Sequence, residues 1–188
     1  MKVLKVCKGR GGCGKKPAIW IDGGMHAREW ISPASVTYIV KKLLDDDKSK
    51  FTNRNLVENL DWYFLAVANP DGYEWSRTED RLWRKNRLEN ILCRKLLIKL
   101  FLKNIAHIII FLCICCVNYD SRGKTPVETC VGIDLNRNFD FYWNNSGGAS
   151  AAGCSGYYRG DKPFSEPESQ NIEAFVRKRL QYLVYFNY

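Results

Sequence analysis

A short apolar run, Ala18-Ile19-Trp20-Ile21, ends in Asp22-Gly23-Gly24 and passes directly into Met25-His26-Ala27-Arg28-Glu29-Trp30. No other stretch constrains the fold as tightly. The apolar run reads as a buried strand and the paired glycines as the turn that stops it. Ser32 and Pro33 then form a good N-cap and first-turn pair. Val36, Ile39, Val40, Leu43 and Leu44 follow at helical spacing to about Asp45. His26 and Glu29 therefore sit on a sharp connection between a strand and a helix, where their side chains project to one side.

Further elements are legible by the same rules. Residues 2–6 alternate Lys, Val and Leu as a short strand, and residues 8–16 are a Gly/Lys-rich loop. That loop is not a P-loop, because the Gly-Lys-Ser/Thr ending is absent. Asp61 to Ala68 is a second core strand, stopped by the turn residues Asn69-Pro70-Asp71-Gly72. Val131 to Asp134 reads as a short strand. Pro167 to Arg179 reads as a helix with Ile172, Phe175 and Val176 on one face and basic residues in its last turns. Tyr182 to Tyr188 has strand composition.

Residues 88–118 differ from their surroundings. They are rich in Ile, Leu and Cys, with Lys99, Lys103 and Asn104 interspersed. A spanning helix needs about 20 predominantly apolar residues. Ile105–Val117 falls short, and the lysines dilute the longer window, so membrane association is not expected. The flanks read continuously when this atypical insert is removed, which suits translated non-coding sequence. A buried core element is the other reading.

Composition excludes some classes. At 188 residues one domain is the default. The net charge of +9 has its excess in the first sixteen residues and in 88–118. It does not form the basic face that nucleic-acid binding requires, so no nucleic-acid partner is expected. Among the eight cysteines, Cys130 and Cys154 flank a polar, aromatic stretch and read as a disulfide of a secreted protein. Asn144-Asn145-Ser146 is a glycosylation sequon, which agrees with that setting. No signal peptide is visible at the start.

His26 and Glu29 have donor types and spacing suited to Zn²⁺. The same spacing also suits a solvated histidine beside a glutamate that favours a helix N-terminus. His107 is the other histidine, set between Ala106 and Ile108, and reads as a core or accidental residue rather than a ligand. Arg81, Arg84 and Arg87 recur at helical spacing, and Arg137 lies in Asp134-Leu135-Asn136-Arg137-Asn138. Arginine binds carboxylates through paired, charge-assisted bonds. Taken singly, each is equally a surface charge.

Four segments change that reading when taken together: Pro17 to Ala34, Asn69-Pro-Asp-Gly-Tyr73, Arg81-Leu-Trp-Arg-Lys-Asn-Arg87 and Gly132-Ile-Asp-Leu-Asn-Arg-Asn138. In that order they closely resemble the carboxypeptidase A/B family of zinc metallocarboxypeptidases, over about residues 1–87 and 120–182. The resemblance implies an α/β fold, a mixed sheet with helices on both faces, truncated in this chain. It implies one Zn²⁺ held by His26 and Glu29, with Arg84 polarising the scissile carbonyl. Asn136 and Arg137 would grip the terminal carboxylate of a peptide substrate, Arg28 would assist, and Cys130–Cys154 would be a family disulfide. The family's third zinc ligand, catalytic glutamate and specificity pocket would lie beyond Tyr188. The expectation is a secreted hydrolase of C-terminal peptide bonds, inactive in these 188 residues. The alternatives are a binder of C-terminal carboxylates that does not cleave, or a membrane-associated fragment held by residues 96–117.

Overall fold

The computed structural model describes residues 1–8, 13–46, 54–87, 130–144, 148–179 and 183–187. The insert 88–118, with His107 and residues 96–117, lies outside them. The chain divides into two compact units, Met1–Arg84 with Pro167–Tyr188, and Lys85–Glu166.

The first unit is built on a four-stranded mixed sheet ordered β1-β3-β2-β4. Its strands are β1 (Leu4–Val6), β2 (Ala18–Asp22), β3 (Asp61–Leu65) and β4 (Leu183–Asn187). β2 runs parallel to β3 and β4, with Trp20 opposite Tyr63 and Tyr185. β1 is antiparallel to β3, with Lys5 opposite Tyr63. The helices are α1 (Ile31–Asp46), α2 (Arg54–Asn59), α3 (Pro70–Thr78) and α4 (Pro167–Arg179).

The period of two along each strand sorts the core into two faces. Ile21, Trp62, Phe64 and Val6 join Val36 and Leu43 of α1 and Val57 of α2 in one cluster. Trp20 and Tyr63 project to the other face, where Phe175 of α4 meets both rings at 5.2 and 5.6 Å between centroids. Helices therefore cover both faces, which is why β2 and β3 are apolar at nearly every position. Trp20 Nε1 donates to the buried Asp22 carboxylate at 2.7 Å, so the indole is buried with its polar edge satisfied.

Several expectations are corrected. Asn69-Pro-Asp-Gly does not only stop β3. Asn69 caps α3, its side chain accepting from Gly72 N at 2.9 Å, and Pro70 takes the first turn. α2 was not legible as a helix. Ser32 does not serve as the cap of α1, which begins at Ile31; its hydroxyl accepts from Gly24 N at 2.9 Å. Leu44 points to solvent rather than into the apolar stripe. Arg81, Arg84 and Arg87 lie on an irregular segment, not a helix.

The second unit has no strand among its described residues. Val131–Asp134 is not one, because Gly132 adopts φ +77° and carries its backbone against Asn86, where a Cβ would meet the Asn86 carbonyl oxygen at 2.1 Å. A short 3₁₀ turn, Leu135–Arg137, follows. Cys130–Cys154 is bonded as expected, and Cys7–Cys13 forms a second disulfide in the first unit. Among the described residues no helix is long and apolar enough to cross a membrane.

Phe64 is 2 % exposed at the centre of the first cluster. Phe64→Ala is expected to destabilise the fold by about 3–5 kcal/mol, read from urea unfolding midpoints.

Candidate metal centre and carboxylate-binding turn

The chain between β2 and α1 is held by its own backbone. Gly23 N donates to Leu65 O at 2.9 Å, and the amides of Ala68 and Asn69 donate to Gly23 O and Gly24 O at 2.9 and 3.1 Å. Asn69 Nδ2 reaches Met25 O at 3.2 Å, and Ala27 N donates to Arg84 O at 3.0 Å. A Cβ at Gly23 would lie 2.8 Å from both Ser32 Oγ and Val36 Cγ2, and Gly24 has φ +65°. The two glycines are therefore needed for close approach and for a left-handed turn.

Met25 and Ala27 are buried, so the alternate residues His26 and Arg28 face the other way. His26 Nδ1 lies 3.1 Å from both oxygens of Glu29. Arg84 Nη1 lies 3.4 Å from Glu29 Oε1. The His26 and Arg84 side chains are only 11 % and 12 % exposed, against 41 % for Glu29. An imidazole nitrogen facing two carboxylate oxygens is a nitrogen/oxygen donor set that fits zinc. Among the described residues no third His, Cys, Asp or Glu joins it.

Arg28 is half-buried, and its carbonyl accepts from Arg81 Nη1 at 2.7 Å. The Arg81 guanidinium lies over the Trp30 ring at 3.9 Å. Trp30 Nε1 donates to Ser76 Oγ at 2.9 Å, and that hydroxyl lies 3.0 Å from Ala27 O. Ser76 thus ties the His26–Glu29 segment to α3. Trp83, next to Arg84, is buried edge-on to Trp75 at 6.4 Å.

In the second unit, Asp134 caps the 3₁₀ turn by accepting from Asn136 N at 3.1 Å. Asn136 is exposed at its tip. Arg137 Nη1 donates to Asn136 O at 3.0 Å, and Arg137 Nε is buried without a hydrogen bond among the described residues. Such a donor suits an anionic ligand. Asn86 holds the preceding loop, accepting from Ile133 N at 2.8 Å and donating to Glu166 Oε2 at 2.6 Å. Asn138 Nδ2 reaches Arg159 O and Ser165 Oγ at 2.9 and 2.8 Å, while its Oδ1 accepts from Glu166 N at 3.2 Å.

Two groups in this unit have displaced proton affinities. Burial lowers the Lys85 ammonium to about 8, with Asp134 opposing the shift and Arg87 adding to it. Its Nζ donates to Gly153 O at 2.9 Å, beside the Cys154 bridge. Burial, and then its hydrogen bond to Asp161, raise Tyr158 to about 12.

Sequence reasoning placed His26, Glu29 and Arg84, which the structure brings together, and Asn136 and Arg137, which it places side by side on one turn. It missed the supporting polar residues Asn69, Ser76, Asn86, Asp134 and Asn138, all of them buried. The only signal available was Asn69 before Pro70, a cap-and-first-turn pair. Asp134 serves a local cap two residues on, whereas Ser76, Asn86 and Asn138 also bond to partners tens of residues away in sequence.

The zinc carboxypeptidase family model matches residues 1–188. The chain is 38% identical over 166 residues to carboxypeptidase B of Helicoverpa zea, covering 88% of this chain and 30% of that protein. It is 38% identical over 172 residues to carboxypeptidase B of Astacus astacus, covering 92% of this chain and 43% of that one. Thrombin-activatable fibrinolysis inhibitor superposes with a TM-score of 0.72 at 34% identity, over 98% of this chain and 37% of that chain. The bovine form of that protein, in complex with tick carboxypeptidase inhibitor, gives 0.66 at 34% identity, over 98% and 47%. The chain thus spans less than half the length of each of these proteins.

The Lys85 shift has a definite pH consequence. Its folded value lies below the unfolded 10.5, so the unfolded chain binds more protons between pH 8 and 10.5. The buried charge penalises the fold below pH 8, and the penalty fades as pH rises. Wild-type stability relative to Lys85→Met is expected to increase from pH 7.5 to about 9.5, below the onset of tyrosine ionisation, in paired urea titrations.

Proposed function

The chain belongs to the zinc carboxypeptidase family, and on that premise we propose that it is the ligand-bearing part of an enzyme that hydrolyses the C-terminal peptide bond of peptides and proteins. The observation that carries this reading is the facing of His26 Nδ1 and both Glu29 oxygens at 3.1 Å, with Arg84 on the same carboxylate. Zinc held by His26 and Glu29 supplies Lewis-acid polarisation of a carbonyl and acidifies water.

The roles of the chain's own groups follow from their chemistry. Arg84 has a fixed positive fork against Glu29, and it stabilises negative charge developing on the scissile carbonyl oxygen. The Asn136 amide and the Arg137 guanidinium bind the terminal carboxylate, and the buried Arg137 Nε is the donor a carboxylate oxygen satisfies. Arg28 is a further substrate contact. The two disulfides support an extracellular setting.

The 188 residues alone contain two histidines, of which His107 lies in the insert. With His26 and Glu29 as the two ligands among the described residues, weak zinc binding and negligible hydrolysis are expected of these 188 residues. Isothermal titration of zinc should give weak single-site binding that disappears in His26→Ala and falls at least about tenfold in Glu29→Gln. Equal heats in wild type and both variants would contradict the assignment.

A second reading, carboxylate binding without cleavage, is favoured specifically by the exposed Asn136 and the unsatisfied Arg137 Nε. It predicts that fluorescent peptides bind through a free C-terminus, weaken on amidation, and lose about 1.5–3 kcal/mol of affinity in Arg137→Ala. Zinc-dependent release of C-terminal residues by the purified chain would instead show that these residues suffice for catalysis.

A further inference from the structure

Opposite the ligand loop's end of the sheet, Cys7, Cys13 and Asp61 form a group unrelated to the chemistry above. One ligand atom from each lies within 4.8 Å of the other two. Cys7 follows β1, and Cys13 follows the glycine-rich loop and is exposed. Asp61 opens β3 and is 1 % exposed. Its Oδ2 accepts from Gly14 N at 2.5 Å and lies 3.9 Å from Lys5 Nζ. Its Oδ1 is buried and has no hydrogen-bond partner among the described residues.

A buried carboxylate oxygen without a donor is unfavourable, because its desolvation is not offset by any hydrogen bond. The charged neighbour, Lys5, reaches only the other oxygen. One carboxylate oxygen of Asp61 lies within 4.8 Å of both sulfurs.

We propose that the reduced chain binds one divalent soft or borderline cation, such as Zn²⁺, through Cys7 Sγ, Cys13 Sγ and the Asp61 carboxylate. The site is closed by the disulfide and opened by a dithiol reductant. In the opening step the dithiol's two sulfurs replace the Cys7–Cys13 bond by successive exchange. The reductant leaves as its cyclic disulfide, and its two protons end on Cys7 and Cys13. Metal binding then releases those two protons to solvent. The ligand set carries one negative charge as two thiols and a carboxylate, and one again as two thiolates, a carboxylate and M²⁺. The Lys5 ammonium is therefore accommodated equally in both states. Three protein ligands and one open position is a geometry zinc adopts, and sulfur with oxygen donors is within its range.

Oxidation and metal occupancy exclude each other, because each consumes the same two sulfurs. The site is also independent of His26 and Glu29, so it stands or falls apart from the peptidase reading.

The test is site-resolved alkylation. The chain is reduced with a dithiol, freed of it by gel filtration under argon, and treated with iodoacetamide with and without one equivalent of Zn²⁺. Modification is then mapped by mass spectrometry. Zinc should slow alkylation of Cys7 and Cys13 by about tenfold or more, leave Cys130 and Cys154 unaffected, and lose most of that protection in Asp61→Asn. Circular dichroism checks that this variant is folded. As a second readout needing no variant at Asp61, Co²⁺ should give a thiolate charge-transfer band with the reduced chain in which Cys93, Cys113, Cys115 and Cys116 are replaced by serine. That band should be absent with the oxidised chain and with reduced Cys13→Ser. Zinc-independent alkylation of Cys7 and Cys13, protection undiminished in folded Asp61→Asn, or a cobalt band surviving Cys13→Ser would each overturn the proposal.

Discussion

The structure depends on a backbone constraint at the end of β2. Gly23 and Gly24 let the chain turn where side chains of Ser32, Val36 and Pro33 would otherwise collide with it. Their carbonyls are then taken by the amides of Ala68 and Asn69, just past β3. The loop is thereby bound to both parallel strands at their C-terminal ends, the usual place for a site in an open α/β sheet. Met25 and Ala27 are buried, so His26 is directed the opposite way and meets Glu29 one turn on. Arg84 joins them because its carbonyl accepts from Ala27. A three-residue electrostatic group is thus positioned almost entirely by main-chain hydrogen bonds. It does not rely on the entropy-costly fixing of long side chains.

The two units solve their polar problem differently. In the first, apolar faces on both sides of the sheet carry the packing, and polar groups such as Asn69 and Ser76 serve the loop. In the second, where no strand occurs among the described residues, buried asparagines take over. Asn86 and Asn138 each use both ends of the amide on partners far away in sequence. Each such bond is individually worth only about 1 kcal/mol, but a partner left unsatisfied costs more. These residues are therefore expected to tolerate little change even though none touches a reacting group. The disulfide Cys130–Cys154 and the buried Lys85, whose ammonium reaches the Gly153 carbonyl, hold the same region.

The legible part of the fold was that governed by short-range pattern. β1, β2, β3, α1, α4 and β4 follow from alternation or helical spacing, with bounds close to those read from sequence. The failures have definite causes. The Asn69-Pro-Asp-Gly run carries turn chemistry and capping chemistry at once, and tertiary context selected the cap of α3. Val131–Asp134 looked extended, but Gly132 occupies a left-handed conformation imposed by contact with Asn86. The arginine spacing from Arg81 to Arg87 mimicked a helix in a segment whose backbone is spent on Ala27, Asp80 and Ile133. Cys7–Cys13 was not paired in advance, because a glycine-rich spacer between them carries no directional signal. At the candidate site, the donors were visible in the motif, whereas the side chains that hold them in place were not.

The central claim is that His26 and Glu29 together form a zinc-binding group. X-ray absorption spectroscopy on the disulfide-intact chain with less than one equivalent of Zn²⁺ tests it most directly. The account predicts a nitrogen/oxygen shell at about 2.0–2.2 Å with imidazole outer-shell scattering that vanishes in His26→Ala. A sulfur shell at about 2.3 Å, or a spectrum unchanged by that substitution, would contradict it.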